Sequence, residues 1–227
     1  MLANIEKVWN GYWNLFLTGL GYTLLLSFIT VLAGCVIGFF LALMRMSKWE
    51  IGKVKPLSVV AGIFIEVVRG TPLLLQLYFF YFLLPDLLSF LDLSEFACIT
   101  IALCLNSAAY VSEIIRAGIQ AVDKGQTEAA RCLGLDSRQA MIHVVMPQAV
   151  KNILPALCNE FVTMIKETSL ASTFFVGELM TQYKSISGAL YLTIEPLIIV
   201  GIIYFVVTFG LSKCVLALER RMNAGEQ

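Results

Sequence analysis

Five stretches of the chain are predominantly apolar for long enough to cross a bilayer: residues 18–46, 57–84, 95–117, 152–176 and 190–216. A spanning helix needs about 20 such residues, so the pattern predicts five membrane-spanning helices. The second run is the least regular. Glu66, Arg69 and the Gly70-Thr71-Pro72 break interrupt it, so a kink at the break, or a true start nearer Thr71, is expected. Residues 1–17 carry Glu6, Lys7, Trp9 and Trp13, with no cationic start leading to a small-residue cleavage site. They are expected to form an extracytoplasmic, interfacial lead-in, because Trp favours the headgroup level. Residues 18–221 are expected to form one membrane domain with one cytosolic excursion, 118–151, and a short cytosolic tail, 222–227.

Composition supports the membrane class: 59% of the 227 residues are hydrophobic and only 14% charged. Net charge is zero, which offers nucleic acid no global basic field. The placement of the charges is more telling. Arg45, Lys48, Lys53 and Lys55 lie between runs one and two, and Arg116, Lys124, Arg131, Arg138 and Lys151 between runs three and four. With Lys213, Arg220 and Arg221 at the end, twelve of the sixteen cations fall on one side. The other side holds Lys7 and Lys184. Cations concentrate on the cytoplasmic side of membrane proteins, which predicts the N-terminus outside and the C-terminus in the cytosol. Cys35, Cys98, Cys104, Cys132, Cys158 and Cys214 form no C-x-x-C pair and are expected to be reduced, small apolar residues.

The excursion carries the most specific signal. Thr127 is a credible N-cap, Glu128 suits the positive end of a helix dipole, and Ala129 and Ala130 are strong helix formers. Gly134 is expected to end this helix in the left-handed conformation, and Asp136 or Ser137 to cap a second helix that stops before Pro147. Caps and a glycine alone describe an ordinary connector. The spacing adds more: Glu128-Ala129-Ala130, three residues, Gly134, nine residues, Val144, one residue, Met146-Pro147 resembles the EAA loop of ABC importer permeases, with Val and Met in place of the usual Ile and Leu. The segments 69–76 (RGTPLLLQ), 109–118 (AYVSEIIRAG) and 165–170 (IKETSL) narrow the resemblance to the polar amino acid branch, the histidine, glutamine and arginine permeases.

The resemblance spans about residues 18 to 221 and implies an all-α integral membrane fold, the five-helix type I importer core with a short cytosolic coupling helix. It implies two permease subunits side by side, two ATP-binding subunits beneath them, and an extracytoplasmic binding protein that delivers an amino acid. ATP and magnesium would sit on the ATPase subunits, and no cofactor or metal is expected on this chain. That agrees with the absence of a G-x-x-x-x-G-K-[ST] loop. Glu128, Ala129, Ala130, Gly134 and Pro147 are the implied coupling residues. The subunit would sit in a bacterial inner membrane and would itself catalyse nothing.

Ionisable groups in hydrocarbon cost several kcal/mol unless paired or hydrated. Glu66 and Arg69 are three apart and are expected to neutralise each other beside Gly70 and Pro72; Glu113 and Arg116 repeat the spacing. Glu160 has no opposite charge one turn away. Either an ion pair or hydrogen bond to another span holds it, or it faces a cavity that takes a cationic ligand. Asn159, Glu160, Lys166, Thr168 and Ser169 are therefore candidates for the substrate path. Gly34 and Gly38 form a G-x-x-x-G expected to pack closely against another helix. His143, the one histidine, has no metal-ligand neighbours in sequence.

Two other classes compete. A carrier or channel without an ATPase would leave the excursion unexplained, and the chain has neither inverted halves nor a filter motif. A membrane enzyme would need H-E-x-x-H, G-x-S-x-G or a comparable set, and the sequence has none.

Overall fold

Every apolar run folds as helix, because in hydrocarbon the backbone must satisfy its own N–H and C=O groups. The computed structural model describes residues 1–47 and 49–223. Lys48 and residues 224–227, most of the expected tail, lie outside the described residues.

Helix α1 (Leu2–Met46) is continuous over 45 residues. No break in the helix falls at residue 17. Val8, Tyr12 and Phe16 recur every four residues and pack against Leu179, Ile186, Ile199 and Val200, so the opening turns belong to the bundle. Trp9 and Trp13 remain exposed.

The second apolar run is broken into α2 (Pro56–Gly70) and α3 (Leu73–Leu87), which meet at 109°. Pro72 forces the residue before it into extended backbone, and Thr71 lies at φ −116, ψ 146. Helix α4 (Glu95–Gln120) follows, capped by Ser94, whose hydroxyl accepts from the Ala97 N–H at 3.2 Å. Its most apolar window is 61% buried, against 17% for the fourth and fifth spans, so α4 is the centre of the bundle. A Cβ on Gly34 would stand 2.7 Å from Ser107 Oγ, and one on Gly38 2.8 Å from the Ala108 carbonyl oxygen. The expected small-residue seam is thus the contact between α1 and α4.

After α5 (Lys124–Cys132), the chain forms α6 (Ser137–Ala140), a π turn over Met141–Val145, α7 (Met146–Glu167) and a 3-10 segment, Thr168–Phe174. The second helix of the excursion therefore does not stop before Pro147. The widened turn precedes the residue that lacks an N–H, and residues 137–174 run on as one 38-residue helical stretch.

Helix α8 (Leu179–Leu190) was not legible as an element, since it lies between the fourth and fifth apolar runs. Glu178 caps it, accepting from the Met180 and Thr181 N–H groups at 2.6 and 2.8 Å and from the Thr181 hydroxyl at 2.8 Å. Burial pushes the Glu178 carboxyl above its ordinary range, and those donors pull it back. Thr23 of α1 accepts from the Leu179 N–H at 3.1 Å, and Lys184 donates to the Ser172 carbonyl at 3.0 Å, stapling α8 to the bundle. Helix α9 (Ile194–Asn223) completes the fold. Among the described residues, four helical stretches are long and apolar enough to cross a membrane, and the bent α2–α3 pair adds a fifth when it is counted as one span.

Candidate functional site: an exposed elbow and an acid-lined cavity

The elbow lies at the end of α5. Asp123, not Thr127, is its N-cap, and accepts from the Gly125 N–H at 2.6 Å, so the helix starts four residues earlier than expected. Asp123 prevails because it stands one residue before Lys124 and can fold back onto the first free N–H groups. At the other end, Gly134 adopts φ +90. Its N–H bonds the Arg131 carbonyl at 3.0 Å, and the Leu135 N–H bonds the Ala130 carbonyl at 3.2 Å. This is a Schellman closure, which uses carbonyls the helix would otherwise leave open. Asp136 then caps α6 in a capping box: it accepts from the Arg138 and Gln139 N–H groups, both at 2.8 Å, while Gln139 Oε1 accepts from the Asp136 N–H at 2.9 Å.

Of the coupling candidates, Ala130 is buried and holds the short helix down, whereas Glu128, Ala129, Gly134 and Pro147 are exposed. Gln148 of α7 donates to Gln126 Oε1 at 3.3 Å and ties α5 to the span behind it. Leu133, which the sequence reading passed over, is 85% exposed at the tip. Its signal was a leucine immediately before a helix-ending glycine.

The second site is a cavity of about 460 Å³ between the α2–α3 break, α4 and α7. Thr71, Pro72 and Leu73 form one wall; Asn106 and Tyr110 of α4 another; Glu160, Thr163, Met164 and Glu167 of α7 the third. Two further hollows of about 510 and 490 Å³ are lined almost wholly by apolar side chains and offer a polar cargo no partners. Glu160 is buried, and Ser107 Oγ donates to its Oε1 at 3.2 Å. Glu160 thus bonds another span and also lines the cavity.

The other path candidates do not line this cavity. Asn159 and Lys166 are exposed on α7, one turn to either side of the lining residue Thr163, and Asn152 continues their stripe at the same seven-residue spacing. Thr168 is buried and donates to the Ile165 carbonyl at 2.9 Å; Ser169 is half-buried, and neither lines the cavity. Sequence reasoning missed Asn106, Tyr110, Thr163 and Glu167. Their signal was spacing, since 106 and 110 lie one turn apart, and 160, 163, 164 and 167 share one stripe of a helix.

The expected Glu66–Arg69 pair is not made. Glu66 meets Arg45 of α1 at 3.8 Å, and Arg69 meets Glu113 of α4 at 3.9 Å. Each finds its opposite charge on a neighbouring helix. Glu113 also takes Arg116, with Nε at 2.9 Å and a shorter Nη2 contact, so one carboxylate serves two guanidinium groups. Arg69 further lies over the Tyr110 ring at 5.5 Å and thereby touches the cavity wall. Gly70 and Pro72 flank Thr71 at the break, and Pro72 lines the cavity.

A bundle of four spans and a bent helix pair, with a capped elbow between the third and fourth apolar runs, is the architecture of an ABC importer permease. A family model described as binding-protein-dependent transport system inner membrane component matches residues 34–224, and the chain belongs to that family. The arginine transport system permease protein ArtQ of Bacillus subtilis (strain 168) is 41% identical over 92% of this chain and 93% of its own length. The L-cystine transport system permease protein TcyB of the same organism is 36% identical over 96% of this chain and 91% of its own. A crystal structure of an amino acid ABC transporter with histidines superposes with a TM-score of 0.86 at 48% identity, covering 93% of this chain and 95% of that one. An inward-facing structure of the MetNI methionine ABC transporter shares the fold, with a TM-score of 0.71 at 17% identity over 92% and 98% of the two chains. The chain is therefore a multi-pass inner membrane transport component rather than an enzyme. In this family ATP is handled by partner ATPase subunits, and a substrate-binding protein and a second permease complete the transporter.

Proposed function

We propose that this chain forms the translocation path of an ATP-driven importer of polar amino acids and is driven through its elbow. The observation that carries the proposal is the rigid, exposed turn at Leu133–Gly134, placed where the E-A-A spacing resembles the coupling loop. Two ATP-binding cassette subunits, holding ATP and magnesium, would grip Glu128, Ala129, Gly134 and Pro147. The N-terminus lies outside and the C-terminus in the cytosol, a placement that rests on the cation asymmetry. An extracytoplasmic binding protein delivers the cargo at the opposite end. Residues 18–221 supply the permease domain, with 1–17 as its extracytoplasmic opening turns and 222–227 as its cytosolic tail.

A second permease subunit, identical or paralogous, covers the polar face of α7. Asn152, Asn159 and Lys166 are exposed at heptad spacing along a span, and a polar stripe is costly against lipid. Covered by a partner, Asn159 and Lys166 would stand beside the path, with Thr168 and Ser169 shaping the turn at its outer end.

The cavity favours a cationic cargo. Glu160 and Glu167 are the charged groups that line it. A carboxylate facing such a space is best matched by an ammonium, guanidinium or imidazolium group. The relatives named for arginine transport and solved with histidines support this cargo class. The test is substrate-stimulated ATPase activity and uptake by the reconstituted complex across arginine, lysine, histidine, glutamine and cystine. Glu160→Gln is expected to raise the KM for a basic amino acid at least ~10-fold, the loss of one charge-assisted hydrogen bond. Copurification of the ATPase should be untouched. An unchanged uptake profile would remove Glu160 from the path.

A further inference from the structure

We propose that Gln76 is a positioning residue that sets the polarity of the cavity wall, by fixing the side-chain amide of Asn106 with its oxygen toward the cargo. The inference rests on the reading of this cavity as the substrate path.

Helix α2 ends at the break with carbonyls that have no helical partner. The Gln76 NH2 group reaches back from α3 to three of the oxygens there: the Val68 carbonyl at 2.7 Å, the Thr71 carbonyl at 3.1 Å and Thr71 Oγ1 at 2.9 Å. The Thr71 hydroxyl already donates to the Val67 carbonyl at 2.8 Å, so toward Gln76 it accepts. Carbonyl oxygens only accept. The NH2 end of Gln76 must therefore face the break, and its oxygen must face α4. There it meets Asn106 Nδ2 at 2.9 Å.

The same logic then passes to Asn106. An amide that donates its nitrogen to Gln76 turns its oxygen the other way. Asn106 is 5% exposed and lines the cavity. Since an amide is donor at one end and acceptor at the other, the direction of this relay decides what the wall recognises. As built, the wall presents acceptors, Asn106 Oδ1 and the Glu160 carboxylate, to N–H groups of the cargo. Reversed, Asn106 would present a donor and favour a carboxylate end. One glutamine at the break thus ties the bend of the α2–α3 pair to cargo selection 30 residues away in sequence.

The experiment uses the reconstituted complex with its ATPase and binding protein, and whichever of L-arginine, L-histidine, L-glutamine and L-cystine the unaltered complex takes up. Gln76→Leu and Asn106→Leu are each expected to raise the KM for uptake ~10-fold, the worth of one hydrogen bond to a charged group. Because Gln76 acts through Asn106, the double variant should be no worse than Asn106→Leu alone, within about 2-fold. Gln76→Glu supplies the arm that a purely structural role would not move. Two carbonyl oxygens at the break disfavour the carboxylate and favour the neutral acid. In that form its O–H donates to the break while its C=O accepts from Asn106. Gln76→Glu should accordingly restore the KM toward that of the unaltered complex and lose this rescue as pH rises. Single effects that multiply to ~100-fold in the double variant would overturn the relay, as would a Gln76→Glu complex as impaired as Gln76→Leu. Should Gln76→Leu fail to assemble, the comparison of Gln76→Glu with Asn106→Leu decides alone. Glu160→Gln separates the two levels: if it leaves uptake unchanged, the cavity reading fails, whereas an affected Glu160→Gln beside an unaffected Gln76→Leu sinks only the relay.

Discussion

Gly134→Val is expected to abolish ATP-driven uptake while leaving the chain inserted in the membrane. Gly134 stands at φ +90, where a β-branched residue is strongly disfavoured, at a cost of about 1–3 kcal/mol. A Cβ there meets nothing within 4 Å, so the cost is conformational and not a clash inside the chain. Relieving it means abandoning the two closing bonds, Gly134 N–H to Arg131 and Leu135 N–H to Ala130, and with them the angle between α5 and α6. Arg131, which donates to Ser137 Oγ across the elbow, would lose that partner. The spans themselves are held elsewhere, by the α1–α4 seam and by clusters around Leu103 and Phe16. Gly134→Asn serves as the control, since asparagine tolerates the left-handed region. It should retain much of the uptake that Gly134→Val loses. The measurement is uptake in proteoliposomes together with the amount of ATPase that copurifies. Full-rate uptake by Gly134→Val would count against the elbow as the coupling point.

The parts of the fold that obey local rules were legible in the sequence. Apolar length located the four spanning helices and the bent α2–α3 pair, the Gly70-Thr71-Pro72 break marked the bend, Asp136 was foreseen as one of two possible caps, and Gly134 was foreseen as left-handed. What failed were inferences requiring knowledge of the neighbour. Glu66 and Arg69 share a helix face, yet each pairs with a different helix, because α1 and α4 offer Arg45 and Glu113 at shorter reach. Asn159 and Lys166 flank Glu160 in sequence, yet both are exposed beside the cavity-lining stripe of α7 and neither lines the cavity itself. Reading a site by proximity along a helix discards its rotation of about 100° per residue. Applied to Glu160, the helical period would have selected Thr163, Met164 and Glu167. Helix α8 was invisible for another reason: it is too short and too mixed in polarity to register as a span, and it is held by the buried Glu178 and by Thr23 156 residues away.

The two glycines of the α1–α4 seam should separate stability from cargo binding. A Cβ at Gly38 would press on the Ala108 carbonyl oxygen at 2.8 Å and on Val111 Cβ at 2.9 Å. Neither belongs to a flexible end, so the helices must part. Gly38→Ala is expected to cost about 1–3 kcal/mol of overpacking and to lower the thermal midpoint of the solubilised complex. At Gly34 the first atom met is Ser107 Oγ at 2.7 Å, with Ser107 Cβ at 3.0 Å. A hydroxyl can rotate away, but this one donates to Glu160 at 3.2 Å. Gly34→Ala should therefore keep more of the thermal stability than Gly38→Ala, yet raise the KM for uptake by removing a donor from the cavity carboxylate. Ser107→Ala should reproduce that KM change with the seam intact. The two readouts, midpoint and KM, are expected to move in opposite order for the two glycines. If Gly34→Ala shifts only the midpoint and Ser107→Ala leaves KM alone, the seam does not reach the cavity through Ser107.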